Sequence, residues 1–498
     1  MNSIRSELDL KLDAFQEGNF LGSKINRRQA LKAAGGVLGG IALSNLSPLI
    51  RTARGAEKLN FLFILTDDQR FDAMSCAGHP FLKTPNLDWI AQTGARFTNA
   101  FVTHSLCSPS RACFLTGQYP HLHGVLNNFT PWQENNVTFL EPLKKAGYYT
   151  GLIGKWHMPG KGLPDLYGTG KLDRFISFTA MAGQGIYYDC PMIDNGRPIP
   201  TKGYIAEVLN DFAIKFFQEA QGRNFCLYLS HKSAHTPFQS PAPFRDKYKN
   251  QKLDLPPEYL EKGLDFKYSS LHPASGLLSK STMEAEMRKY FETIEALDAS
   301  LGKLFEELDR LKLLDRTVIV FAGDNGHLWG EHRLIDKRFA YEESIRIPFL
   351  ARGPGLIPNP GALIDEMILN LDLAPTMLDL AEVKIPEAIQ GMSFKPLLQN
   401  KPIDWRKSWL YEYFYDPPYP APDIVAVRTK NMKYVRYANN KLPEQMFDLK
   451  ADPKEMNNLA AKPEDAIKKQ ALISELERLL KQTGYPEKDA KEKLGLDF

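Results

Sequence analysis

Two uninterrupted apolar runs constrain this chain more than any other feature. One lies in "KLNFLFILTDD" (residues 58–68) and ends in Asp67-Asp68; the other lies in "RTVIVFAGDNG" (316–326) and ends in Asp324-Asn325. A strand with one wet face alternates apolar and polar residues. A strand without that alternation is buried on both faces, as in a parallel sheet covered by helices. Segments of the two patterns follow one another along the chain. "TPNLDWIAQTG" (84–94), "NNVTFLEPLKKAG" (135–147), "AEVLNDFAIKFFQEA" (206–220) and the long amphipathic stretch 283–312 read as helices, the first two stopped by Gly94 and Gly147. "YYTGLIGKWH" (148–157) and "NFCLYLSH" (224–231) read as further strands. The alternation predicts an α/β fold built on a large, mostly parallel sheet flanked by helices. Polar residues recur just beyond the strand C-termini, at Asp67-Asp68, His157, His231/His235 and Asp324-Asn325, which is the ligand-binding edge of an open α/β sheet.

The texture changes after residue 400. "SWLYEYFY" (408–415), "IVAVRTKNMKYVRY" (424–437) and "EQMFDLKADPKE" (444–455) are short aromatic or alternating stretches, followed by a Lys/Glu/Leu-rich helix near 464–482. They predict a smaller C-terminal domain with an antiparallel sheet and a helix, joined through "IQGMSFKPLLQNKPIDW" (389–405). The expected organisation is a signal region at 1–56, a catalytic α/β domain at 57–400 and a C-terminal β/α subdomain at 401–498.

Residues 1–56 carry eight Lys/Arg against four Asp/Glu, so the rest of the chain, whose total is +3, is close to neutral. Nothing in that balance calls for nucleic acid as a partner. Arg27-Arg28 precede a short Ala/Gly-rich apolar run and then "RTARGAEK". This order resembles a twin-arginine export signal, with cleavage near Gly55 or Ala56. It implies the twin-arginine translocase as a partner and a periplasmic or secreted destination. The run is too short and glycine-rich for a stable membrane span. The five cysteines (76, 107, 113, 190 and 226) are odd in number and form no CxxC pair, which speaks against a disulfide framework, a zinc ribbon or a thioredoxin-like site.

Acids at one strand tip are commonly solvated or helix-capping. Two strand tips with adjacent oxygen donors, Asp67-Asp68 and Asp324-Asn325, are a hard-cation pattern, suited to Ca2+ or Mg2+ rather than zinc. Cys107, in "SLCSPSRACFLTG", admits three readings: an inert buried thiol, a helix-terminal thiolate nucleophile, or a precursor. For the thiolate, Arg111 follows too soon for a cysteine-phosphatase loop, Pro109 intervenes, and phosphate-wrapping glycines are missing.

"CSPSRACFLTG" resembles the formylglycine-dependent (type I) sulfatase signature, the substrate of an enzyme that oxidises the cysteine. The resemblance runs through "LTDDQR", "GQYPHLHG", "GKWH", "GDNGHLWGEHRLIDKRFAYEESIRIPFLARGPG", "LDLAPTMLDLA" and "MFDLKADPKEMNNLA" in family order. It implies an alkaline-phosphatase-like sandwich fold, maturation by a formylglycine-generating enzyme, and a sulfuric ester hydrolase. It further implies that Cys107 becomes 3-oxoalanine (formylglycine), whose hydrate attacks sulfur. Asp67, Asp68, Asp324 and Asn325 would hold the cation with residue 107. Arg111 would hold the hydrate. Lys155 and Lys337 would grip sulfate oxygens, with Arg333 and Arg338 as rivals of Lys337. His235 would act as general acid, and His157 would take the proton of the second hydroxyl.

The substrate is expected to be a sulfated carbohydrate, the resemblance pointing to N-acetylglucosamine-6-sulfatases among exported bacterial enzymes. Tyr187, Tyr413 and Tyr415 are candidates for stacking on sugar, Arg70 and Arg428 for meeting an acidic glycan, and His327 and His332 for the pocket. Core packing and surface pairing account for all of these equally well. Two alternatives stand beside the sulfatase: a phosphomonoester or phosphonate hydrolase of the alkaline-phosphatase superfamily, and a non-catalytic glycan-binding relative.

Overall fold

Strand Asn60–Thr66 (β1) forms the middle of a ten-stranded sheet because every one of its residues is apolar or can be satisfied by the ladder. Phe61, Phe63 and Leu65 enter one apolar layer, which also holds Phe114 and Leu373; Leu62 and Ile64 enter the opposite layer with Leu209 and Leu301. Burying each of these side chains contributes about 1.5–3 kcal/mol, an upper bound against an extended unfolded chain. The computed structural model describes residues 58–158, 170–262 and 279–498; the signal region read at 1–56 lies outside them.

The other strands of this sheet are Ala95–Phe97 (β2), Tyr149–Gly154 (β3), Arg174–Phe178 (β4), Met192–Asp194 (β5), Arg197–Ile199 (β6), Phe225–Ser230 (β7), Thr317–Gly323 (β8), Phe349–Arg352 (β9) and Ala362–Ile364 (β10). Their order is β10-β2-β9-β8-β1-β7-β3-β4-β5-β6. The five central strands, β8 to β4, run parallel. Register aligns their C-terminal ends: Thr66 pairs with Gly323, Leu65 with Ser230, and Gly154 with Ser230. The polar residues that follow these strands therefore emerge along one edge. Packing there is tight, since a Cβ on Gly154 would lie 1.9 Å from Ser230 O.

Helices Pro85–Thr93 (α1), Ile205–Glu219 (α2) and Lys280–Arg310 (α3) supply buried residues to one face. Helices Cys107–Thr116 (α4), Leu140–Lys145 (α5) and Leu373–Leu380 (α6) supply the other. The helix expected at 135–147 is shorter than its pattern: it begins at Leu140, with Pro142 in its first turn, where a missing N–H costs nothing. Strands Ser408–Tyr413, Ile424–Thr429, Met432–Tyr437 and Gln445–Asp448 form an antiparallel sheet covered by helix Ala466–Thr483. Its core is continuous with Phe101, Leu106 and Cys113 beside α4. The stretch read as a joining segment buries Phe394, Leu398 and Trp405 in the main core. Among the described residues no helix is long and apolar enough to cross a membrane.

Candidate active site

Cys107 opens α4, a helix whose ten residues are all buried. Its thiol lies 3.6 Å from Asp67 Oδ1 and accepts from Lys337 Nζ at 3.1 Å. Burial pushes the thiol up to about 12, outweighing the pull of Lys155 and Lys337. Burial thus works against the thiolate reading.

Asp67, Asp68 and Asp324 bring carboxylate oxygens within 4.8 Å of one another, all buried. The backbone N–H of Asp68 donates to Asp324 Oδ1 at 3.0 Å, and Asn325 Nδ2 donates to Asp68 Oδ1 at 2.7 Å. That orientation leaves Asn325 Oδ1 and Asp68 Oδ2 buried without hydrogen-bond partners. Burial, and Asp67 next to it, push the Asp324 carboxyl up to about 7. The orphaned buried oxygens are donor capacity that no protein group among the described residues uses. An all-oxygen donor set of this kind fits a hard divalent cation. Asp67, Asp68, Asp324 and Asn325 would hold it.

Three buried cations surround these acids. Arg111 donates through Nε to Asp324 Oδ2 at 3.0 Å, and its second arm lies 2.7 Å from the same oxygen and 3.6 Å from Asp67 Oδ1. Its remaining arm donates to Lys155 O at 3.1 Å and Ser230 Oγ at 2.5 Å. Lys155 Nζ meets Asp67 Oδ2 at 2.5 Å, and Lys337 Nζ pairs with Asp68 Oδ1. Burial alone would raise Asp67, but Lys155, with Arg111 and Lys337, holds its carboxyl well below the usual range. His235 Nδ1 donates to Thr236 O at 2.6 Å, which turns Nε2 toward Asp68 Oδ2, 3.8 Å away. Burial drops this imidazole to about 4 and holds His157 well below its ordinary value, so both are neutral here. His157 reaches the group through Ser108, whose hydroxyl lies 3.4 Å from its Nδ1 and also donates to its carbonyl. Asp68 and His157 hold left-handed backbone, φ 56° and 57°, a strain that persists where surrounding structure over-determines it.

A cavity of about 330 Å³ opens above Cys107, with Asp68, His235 and Lys337 in its lining. Arg111, Lys155, His157, Asp67, Asp324 and Asn325 are not in the lining. Phe238, Trp329, Asp336, Arg338 and Tyr419 are also part of the wall. Arg338 pairs with Asp336 and Asp416 and lies over the Tyr419 ring, 3.7 Å from its centroid. His327 also lines the cavity, whereas His332 stacks on Tyr341 outside it. Tyr187 and Tyr413 are core residues, the Tyr187 hydroxyl donating to His235 O at 2.8 Å. Tyr415 is exposed away from the cavity lining. Arg428 is buried against Glu342, and Arg70 is bound by Asp72 and Glu331. Sequence reasoning missed Tyr419, Trp329 and Phe238; Phe238 and Tyr419 reach the wall from loops, and Trp329 from the two-residue strand Leu328–Trp329.

The family model described as Sulfatase matches residues 59–383, and one described as N-sulphoglucosamine sulphohydrolase, C-terminal, matches residues 330–482. The chain belongs to the sulfatase family. It is a sulfuric ester hydrolase, and sulfatases generally depend on formylglycine and a metal. An N-acetylglucosamine-6-O-sulfatase of Bacteroides thetaiotaomicron is 33% identical, over 87% of this chain and 88% of that protein. A solved structure in complex with its substrate, D-glucosamine-2-N,6-O-disulfate, is 31% identical with a TM-score of 0.80, covering 88% of this chain and 100% of that one. A phosphonate monoester hydrolase of Agrobacterium radiobacter shares the fold, at 22% identity and a TM-score of 0.68 over 86% of this sulfatase and 96% of its own chain. The fold is the alkaline-phosphatase-like sandwich.

Proposed function

We propose that this sulfatase removes the 6-O-sulfate of a glucosamine-type sugar. The carrying observation is the Cys107 thiol at the cavity floor, between Lys337 and Asp67, beside the orphaned oxygens of Asp68 and Asn325. The names of the relatives support the sugar class.

In this reading a formylglycine at 107 would supply, as its hydrate, a nucleophilic oxygen and a second hydroxyl. A divalent cation held by the four oxygen donors supplies charge neutralisation beside that oxygen. The chain's own groups do the rest. Lys337, in the cavity lining, receives the sulfate oxygens as a fixed positive charge. Lys155 is engaged by Asp67 and keeps that carboxylate ionised and aimed. Arg111 holds the Asp324 carboxyl in place and offsets part of the burial that raises it, and its charge screens the oxygens at position 107. His235 lies at the cavity with Nε2 free of hydrogen bonds; sulfate oxygens beside it favour its charged form, and it gives a proton to the departing alcohol. His157, neutral in its buried place, accepts the proton of the second hydroxyl.

Residues 1–56 act in this proposal as a twin-arginine address to the periplasm or exterior, with oxidation of Cys107 by a formylglycine-generating enzyme before export. Turnover of N-acetylglucosamine-6-sulfate against its 3-sulfated isomer, galactose-6-sulfate and N-acetylglucosamine-6-phosphate tests the reading. A preference of at least tenfold in kcat/KM for the first is expected. Preference for another sulfated sugar overturns the substrate, and preference for the phosphate ester overturns the reaction.

A further inference from the structure

Two loops carry the cation donors, one after β1 and one after β8. Neither is held only by its own acids. Tyr290, fully buried near the middle of α3, reaches the first loop with its hydroxyl. That hydroxyl accepts from the Arg70 backbone N–H at 2.9 Å and donates to the Asp68 carbonyl at 2.9 Å. Both backbone groups flank the turn that puts Asp68 in left-handed geometry, φ 56°. The same turn presents the Asp68 carboxylate, whose Oδ2 has no hydrogen-bond partner.

Arg70 extends the connection into the second loop. Its guanidinium donates to His327 O at 3.0 Å and to Glu331 Oε1 at 2.8 Å, while Asp72 takes two further bonds at 2.9 Å. Glu331 Oε2 in turn accepts from the Trp329 N–H at 2.6 Å. A continuous path therefore runs from α3 through Asp68 and Arg70 to the segment between Asn325 and Lys337. The Tyr290 ring is fixed within it, packed at centroid distances of 5.6 Å from Phe238 and 5.3 Å from Trp329.

We propose that Tyr290 and Arg70 are positioning residues for the cation site, clamping the two donor loops at the spacing the cation requires. A hydroxyl present for packing alone has no reason to bridge the two backbone groups around a strained donor. Partners one step removed from metal ligands commonly set affinity in this way. The inference rests on the reading that Asp67, Asp68, Asp324 and Asn325 hold a divalent cation.

The test uses the full chain, stripped with chelator and matched for the oxidation state of residue 107. Ca2+ and then Mg2+ are titrated calorimetrically into the wild type, Tyr290→Phe, Arg70→Lys and a control, Tyr149→Phe. The control loses a comparable hydroxyl bond, to Glu219 at 2.9 Å, at the opposite end of its strand from the site. Tyr290→Phe and Arg70→Lys are expected to weaken the preferred cation roughly tenfold. Tyr149→Phe is expected to leave affinity within about twofold of the wild type. Metal-free melting curves follow each variant. Tyr290→Phe should melt within about 2 °C of Tyr149→Phe, so that the affinity loss is not a loss of fold. If the wild type binds and Tyr290→Phe binds equally tightly, the clamp is wrong and the cation site stands. If the wild type binds neither cation, the site reading fails and takes the clamp with it.

Discussion

Replacing Arg111 with methionine removes a buried guanidinium that touches both Asp67 and Asp324. Its contacts with Asp324 at 2.7 and 3.0 Å and with Asp67 at 3.6 Å join groups that are at most 1% exposed. At an effective dielectric near 20, charges about 3–4 Å apart attract by roughly 4–6 kcal/mol, much of it offset by desolvation. Breaking such a pair from one side leaves buried charge uncompensated and costs about 3–5 kcal/mol. The unfolding entropy of a unit of about 440 residues is roughly 0.9 kcal/mol/K, so the metal-free melting temperature should fall by about 3–5 °C. Arg111→Met combined with Asp324→Asn should recover part of that loss, because the second change removes the charge the first one orphans. The assay is thermal unfolding of chelated protein in the wild type, both single variants and the double variant. A fall under about 1 °C for Arg111→Met, or strictly additive losses in the double variant, would refute the argument.

Three further outcomes are expected. Cys107→Ser, made in a host that oxidises only cysteine, should lose all sulfate release while still folding, since the two side chains are near-isosteric; full activity in that variant would sink the aldehyde mechanism. Lys337→Ala should lower kcat/KM for the sulfate ester by about 10²–10³, and a loss under tenfold in steady-state assays would remove Lys337 from the sulfate site. His121 gives a pH dependence of stability. Burial opposes its charge, but Glu412, 2.7 Å away, outweighs burial and raises its pKa above the ordinary value. A histidine raised in this way stabilises the fold fully below its unfolded value of about 6.5, and that stability is lost as pH rises through the folded value. Urea midpoints should therefore fall across that window in the wild type and stay flatter in Glu412→Gln; parallel profiles would contradict the pairing.

The parts of the site legible in the sequence are those fixed by strands. Asp67-Asp68 and Asp324-Asn325 end the two most apolar runs of the chain, so a sheet edge and an oxygen-rich site could be read from composition and order alone. Lys155 and His157 follow the same rule after β3. The buried helix of Cys107–Thr116 was legible only as a motif, because the burial of Arg111 depends on acids that lie far off in sequence. Of the cavity wall, His327 and Arg338 were legible as candidates from the sequence, while its aromatic residues were not. Phe238 and Tyr419 come from loops and Trp329 from a two-residue strand, all too short for periodicity, and nothing local distinguishes them from Tyr187 or Tyr413, which are core. Short strands such as β5 and β6 escaped for a related reason: three residues each, with Pro198 in the second, they are held by pairing rather than by propensity. Arg70 stayed open between a glycan contact and structural pairing because an arginine next to strand-tip acids looks available for a ligand; its fork is used by Asp72, Glu331 and His327 O.

The central claim is that Cys107 is a precursor and not the working nucleophile. Protein made in its native host, digested with trypsin, yields the peptide Phe97–Arg111 with residue 107 inside it. This peptide is expected to carry an aldehyde, captured by a hydrazide and unreactive toward iodoacetamide. A peptide that is wholly free thiol, from protein that releases sulfate from a sulfated sugar, would contradict it.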